Sequence, residues 1–360
     1  MLAVVLGVLA IAAAAAVGRL SDLWHLPFPG FGGFVLTVLL AFQVAFLLHE
    51  AGHLIGARLV DFRPRQLAAM LVQVAWVNGK ARLRAPSGSL RWSGLVLVSP
   101  TGTHDLERRM AVFIAGGPAA SLVVGALLGT LAFWLAPAGV TYLLLHCAGF
   151  TLAVGLLTLA PYRSGGLLSD GARLLRMWEG GAVVRRDVAI WAIGALIHGA
   201  DRPRDVPEEL ADHMLAPQDD SPEQAQAEAL AAIIAFDRGD EATGMQHWQR
   251  AMALIERVPE PIRPNFYLDA AYIAARYESD PVRGAAYLEK SAGGIGLERW
   301  HRARAGAAVA LAAGEPERAL ALAREGLQAL AGRQATGLIE MERSLLEDLA
   351  AGACAALASL

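Results

Sequence analysis

Long apolar runs alternate with short polar ones through the first 175 residues, and then the alternation stops. Four runs, 1–18, 31–58, 110–136 and 140–161, are apolar enough and long enough to cross a bilayer, for which about 20 apolar residues suffice. The last two lie in one stretch, Met110 to Tyr162, that holds no charged side chain. Ala136-Pro137-Ala138-Gly139 divides it, because Pro and Gly together interrupt a helix. The first run lacks the basic flank of a secretory signal, so it is expected to be an uncleaved helix.

Between the second and third runs the period changes from helical to two. Val72–Val77 and Lys80–Arg84 flank Asn78-Gly79, which predicts a hairpin with a type I′ turn. Leu95–Val98, closed by Pro100, is a further expected strand.

From about residue 185 the pattern is polar and helical, with Ala, Leu, Glu and Arg at helical spacing. Three turns share a signature: Gly239, Ser279 and Gly314 each carry small residues at +5 and +12, and an acid follows each. Their spacings are 40 and 35 residues. This resembles tetratricopeptide-type helical hairpins, in which small residues let paired helices approach. Val188–Ile197 is apolar but too short to span, so it is expected as a core or interfacial helix.

Composition sharpens this division. The chain of 360 residues is 55% hydrophobic and 18% charged, against about 25% charged in soluble domains. The first 57 residues hold only Arg19, Asp22 and Glu50 as charged side chains. A net charge of -3 offers no basic field for nucleic acid. Two cysteines, Cys147 and Cys354, give neither a disulfide framework nor a cysteine zinc site. Nine Lys and Arg residues fall in 58–109 but only Arg19 in 18–30, so the long loop and both termini are expected in the cytoplasm. Trp92, Trp134 and Trp178 read as interfacial anchors.

The chemistry concentrates in the second span, as His49-Glu50-Ala51-Gly52-His53. Positions i and i+4 share a helix face, so both imidazoles can hold one metal ion, with Glu50 beside them as general base. Two nitrogens, a nearby carboxylate and an open position suit one zinc ion. Polar groups inside a span are expensive and by default functional. A third protein ligand is needed. His49 lies about 27 Å along its helix from Phe31, near the cytoplasmic end, whereas His146 sits close to the opposite end of span four. His146 is therefore expected as a packed or interfacial residue. Asp170, His104 and Asp105 all lie on the correct side, and Pro161 to Gly166 interrupts the chain just before Asp170.

Three motifs in order resemble the site-2 protease family of intramembrane zinc metalloproteases, in a short form without a PDZ domain. They are His49-Glu50-x-x-His53 in an apolar helix, Gly116-Gly117-Pro118 at the opening of the third span, and Pro161…Ser169-Asp170-Gly171. The resemblance covers about 31–176. It implies zinc ligands His49, His53 and Asp170, the base Glu50, substrate contacts at Thr158, Pro161 and Gly117, and a β-rich loop that guides an unwound substrate. The chain departs from the family pattern at Thr158, where Asn is common, at Ser169, where Leu is common, and in its nine-residue gap from Pro161 to Asp170.

The expected fold is mainly α: a polytopic membrane bundle over 1–184 with a small cytoplasmic β-hairpin region, then a cytoplasmic helical-hairpin domain over 185–360. The expected activity is intramembrane endopeptidase cleavage of a membrane-protein substrate near the cytoplasmic face. The domain over 185–360 either recruits substrate or an adaptor, or caps the site. Two alternatives stand beside this: a membrane zincin with Glu as third ligand, and a scaffold or receptor with a vestigial metal site.

Overall fold

The computed structural model describes Arg19 and residues 30–77, 79–84, 94–135, 138–164, 167–293 and 297–359. The expected span 1–18, Trp92, Asn78 and the Pro137 turn lie outside these. The chain forms two compact units, Met1–Gly180 and Gly181–Leu360.

The first unit is built on three long helices, α1 (Gly30–Leu59), α2 (Leu106–Leu135) and α3 (Ala138–Leu159). Each contains a segment long and apolar enough to cross a membrane. They coincide with three of the expected runs, except that α2 starts at Leu106 and so places Gly116-Gly117-Pro118 well inside the helix rather than at its opening. Small residues set how closely the helices approach. A Cβ on Gly52 of α1 would lie 2.4 Å from the Gly116 carbonyl of α2, and one on Gly155 of α3 would lie 2.8 Å from the Ser121 Cβ of α2. Close packing of this kind is how apolar helices associate in lipid, where burial supplies little force. Outward faces keep large side chains such as Leu36, Leu39, Leu127 and Leu131 exposed.

Between α1 and α2 runs an antiparallel sheet of β1 (Phe62–Ala69), β2 (Val72–Val77), β3 (Lys80–Arg84) and β4 (Gly94–Pro100), in the order β3-β2-β1-β4. The expected hairpin is β2–β3, with Val77 paired to Lys80 and Gly79 at φ 74°. Strand β1 is an addition. Pro64, which cannot donate to a ladder, sits at a register shift against β4 between Pro64 and Gln66, where a strand tolerates proline. Gln43 of α1 clasps the β1–β2 turn: its amide donates to the Ala69 carbonyl at 2.9 Å and accepts from the Leu71 N–H at 3.1 Å. Buried Arg109 ties three element ends together by donating to the carbonyls of Val60 (2.9 Å), Thr101 (2.9 Å) and His104 (3.2 Å). After α3, the short ladder β5 (Arg163–Ser164) and β6 (Leu167–Leu168) leads into α4 (Asp170–Glu179).

Among its described residues the second unit contains helices and no strand. It comprises α5 (Ala182–Ile197), α6 (Glu208–Leu215), α7 (Pro222–Arg238), α8 (Glu241–Ala253), α9 (Arg263–Arg276), α10 (Pro281–Lys290), α11 (Arg299–Ala312), α12 (Pro316–Leu330) and α13 (Gly337–Ala358). The three turns marked by the repeating signature join α7 to α8, α9 to α10 and α11 to α12. Gly239, Ser279 and Gly314 all take positive φ there. Asp240 and Asp280 cap the helices that follow by accepting from Thr243 N and Arg283 N, which satisfies otherwise orphaned amides. The small residues at +5 and +12 are buried at the helix contacts. Gly244 backs onto Phe236, Gly284 onto Val309, and Gly326 onto Leu346. Arg304 of α11 lies between Asp269 of α9 and Glu342 of α13, over the Tyr272 ring at 4.8 Å, so this buried cation is paired on both sides. The expected core helix at Val188–Ile197 is the second half of α5, with Ala189, Ile193 and Ile197 in a core shared with α6 and α7.

Candidate metal centre

Helix α1 carries His49, Glu50 and His53 on consecutive turns, all buried. Helix α2 fixes both imidazoles. His53 Nδ1 lies 3.1 Å from the Phe113 carbonyl, and His49 Nδ1 lies 3.0 Å from the Ser121 hydroxyl. A carbonyl only accepts, so His53 donates from Nδ1, and its neutral ring keeps the Nε2 lone pair free. The Ser121 hydroxyl can accept the Nδ1 proton of His49, and that tautomer presents its Nε2 lone pair in the same way.

The two Nε2 atoms point at one place, and Asp170 completes it. His49 Nε2 is 3.2 Å from Asp170 Oδ2, His53 Nε2 is 3.4 Å from the same oxygen, and the two nitrogens are 3.2 Å apart. Ligands at about 2.0–2.1 Å from a tetrahedral zinc ion are about 3.3–3.4 Å from one another, so these separations are the edges of such a site. Two nitrogen lone pairs and a carboxylate oxygen at that spacing repel unless a cation lies between them. The residues therefore fit one zinc ion.

The contacts around Asp170 account for its glycine neighbour. Ser169 caps α4 by accepting from Ala172 N at 3.1 Å and donates to the Ala160 carbonyl at 2.7 Å. Its backbone N–H reaches the Tyr162 carbonyl at 3.0 Å. Ser169 thus straps the start of α4 to the end of α3, and the β5–β6 ladder lies between Pro161 and Asp170. Gly171 lies so close to the last turn of α3 that a Cβ there would sit 1.8 Å from the Leu159 carbonyl oxygen.

Gly117 is set against His53, where a Cβ would fall 2.3 Å from Nε2. Thr158 donates to the Gly155 carbonyl at 3.2 Å and Pro161 is exposed; neither joins the donor cluster. Among the described residues that cluster is His49, His53 and Asp170 alone. His104 and Asp105 are exposed outside it. His146 is packed against Tyr142 and Phe34 and donates from Nδ1 to the Tyr142 carbonyl at 2.8 Å.

Three groups at the site carry no sequence motif of their own. Ser121 follows Gly117 by one helical turn, so helical spacing from the glycine points to it. The Phe113 carbonyl is backbone and leaves no side-chain signal. Gly94, the first residue of β4, faces Glu50, where a Cβ would lie 2.1 Å from Glu50 Oε1. Among the described residues β4 pairs only with β1, so its other edge is unpaired beside the general-base candidate. Comparison with protein-family models, with curated proteins and with solved structures found no match.

Proposed function

We propose that the protein is an intramembrane zinc endopeptidase that hydrolyses a peptide bond in or beside a transmembrane segment, near the cytoplasmic face of the cell membrane. The observation that carries this reading is the set of three donor atoms at tetrahedral spacing, two of them on an apolar helix that also holds a buried Glu50. Zinc, when bound, acidifies a water and polarises a carbonyl. His49, His53 and Asp170 would hold it, with Ser121 and the Phe113 carbonyl fixing the two imidazoles. Glu50 accepts a proton from the attacking water and passes it to the departing amine.

A helical substrate hides its amides in hydrogen bonds, so it must unwind locally before it is cut. The edge of β4 that no described strand pairs supports this step, because pairing with it satisfies the released backbone groups next to Glu50. Gly94 leaves room there for the carboxylate. The helical hairpins of the second unit, which we read as tetratricopeptide-like and cytoplasmic, suit recruitment of substrate or an adaptor. The reading with a glutamate ligand draws no support, since among the described residues Asp170 stands in the donor cluster and no glutamate does.

The test is a comparison of membrane-bound peptides in cells carrying wild type or Glu50→Gln. Peptides truncated within or beside a transmembrane segment are expected with wild type and absent with the variant, which retains zinc. Equal cleavage by the two proteins sinks the mechanism.

A further inference from the structure

Helix α4 has a second face that the metal site does not use. Its ten residues place Leu174, Leu175 and Trp178 on one side and Arg173 and Arg176 on the opposite side, as the helical period dictates. The apolar side is open: Trp178 is 85% exposed and Leu175 39%. The depth of the helix is fixed independently. Gly171 touches the carbonyl of Leu159, the last residue of the apolar helix α3, so α4 begins at the level where that span ends. Leu156 and Leu159 in the last turn of α3 and Leu167 of β6 are also exposed, so apolar side chains are open at the end of the span and on the strand just before α4.

We propose that α4 is a membrane-interface anchor, that Leu175 and Trp178 sit in the boundary between acyl chains and headgroups, and that this seating holds Asp170 at the metal site. The occupant of the face is lipid. Exposed leucines at the span end and on β6 precede it in the chain, its depth is that of the span end, and a tryptophan at this level is the side chain an interface favours. The consequence for the metal rests on the zinc reading above. Asp170 is the first residue of α4, and zinc ligation tolerates about 0.2 Å of displacement. A helix that loses its seat in the interface therefore carries the carboxylate away from the two imidazoles. By this account the site is completed by the bilayer as well as by the chain.

The experiment uses full-length protein in phosphatidylcholine vesicles, with a nitroxide at Leu175→Cys in a Cys354→Ser background and a reference label at Val282→Cys, an exposed position of the second unit. Collision rates with oxygen and with a neutral nickel chelate are measured. Oxygen exceeding nickel at 175, with the reverse at 282, is the expected result. Nickel exceeding oxygen at 175 shows a face in water and overturns the proposal. Low rates for both show that the second unit or another copy of the chain covers the face, and this overturns it equally. In the same vesicles Trp178→Glu is expected to weaken zinc binding about tenfold or more, while Trp178→Phe keeps it. Wild-type affinity in Trp178→Glu removes the coupling between anchor and metal. Should the wild type bind no zinc, the metal reading fails, while the nitroxide result still decides the anchor.

Discussion

Gly171→Ala perturbs the metal site through backbone geometry alone. The added methyl would sit 1.8 Å from the Leu159 carbonyl oxygen, whereas ordinary contacts of a Cβ begin at 3.4 Å. The start of α4 must therefore move by about 1.6 Å, the difference between the two. The obstacle is main chain of α3, so no side chain can swing aside to absorb the shift. Zinc ligands are held to about 0.2 Å, and Asp170 is the adjacent residue, so the carboxylate leaves the site. Loss of an orienting group beyond the ligands typically weakens metal binding 10–100-fold, and loss of a charged ligand costs more. We expect zinc affinity to fall at least about 100-fold, equivalent to about 2.7 kcal/mol. The assay is competition with a chromophoric chelator on purified full-length protein, with helix content and gel-filtration profile checked. Gly194→Ala in α5 is the control: nothing lies within 4 Å of its Cβ position, and zinc binding should not change. A folded Gly171→Ala protein that binds zinc within threefold of wild type would refute the geometric argument.

Other outcomes follow from the same contacts. Gly94→Ala places a methyl 2.1 Å from Glu50 Oε1 and far less directly against the ligands, so zinc should be retained while cleavage falls by at least about tenfold. Normal turnover with bound zinc would show that β4 does not position the base. Ser121→Ala removes the partner of His49 Nδ1 and should weaken zinc binding about 10–100-fold with little change in helix content; chelator competition reads it. In the second unit, burial, with Arg304 adding to it, pushes the His301 imidazole down from 6.5 to about 4. The unfolded chain then binds the proton first, so stability is full above pH 6.5 and drains away as pH falls towards 4. The side chain is 28% exposed, which limits the loss to about 1–2 kcal/mol. Amide-exchange protection factors in α9, α11 and α13, corrected for the intrinsic pH dependence of exchange, should fall between pH 7 and pH 5, and His301→Leu should flatten that dependence.

Much of the architecture is legible in the sequence because it rests on local pattern. The charge-free stretch and its Pro-Gly break mark α2 and α3, and Asn78-Gly79 between alternating residues marks β2–β3. Gly239, Ser279 and Gly314 mark turns because each occupies a left-handed conformation that interrupts a helix. Strand β1 is not legible: Arg63-Pro64-Arg65 breaks both alternation and apolarity, and only pairing with β2 and β4 on either side makes it a strand. At the candidate site, His49, Glu50 and His53 stand out because polar groups are costly within an apolar helix. Asp170 is reachable from its side of the chain and from the broken helix before it, with resemblance narrowing the choice. The contacts of Gly94 with Glu50 and of Ser121 with His49 depend on how separate elements pack. No local pattern encodes them, although the turn spacing from Gly117 to Ser121 is a partial cue.

The central claim is that a water activated at His49, His53 and Asp170, with Glu50 as base, cuts a membrane-embedded peptide. Its most direct test is mass spectrometry of a transmembrane substrate incubated with the zinc-loaded protein in ¹⁸O-labelled water. The account predicts a single cut whose new carboxyl terminus carries one ¹⁸O from solvent, and no cut with Glu50→Gln carrying the same zinc. A cut made equally well by Glu50→Gln, or no cut in any membrane segment by fully zinc-loaded wild type, would contradict it.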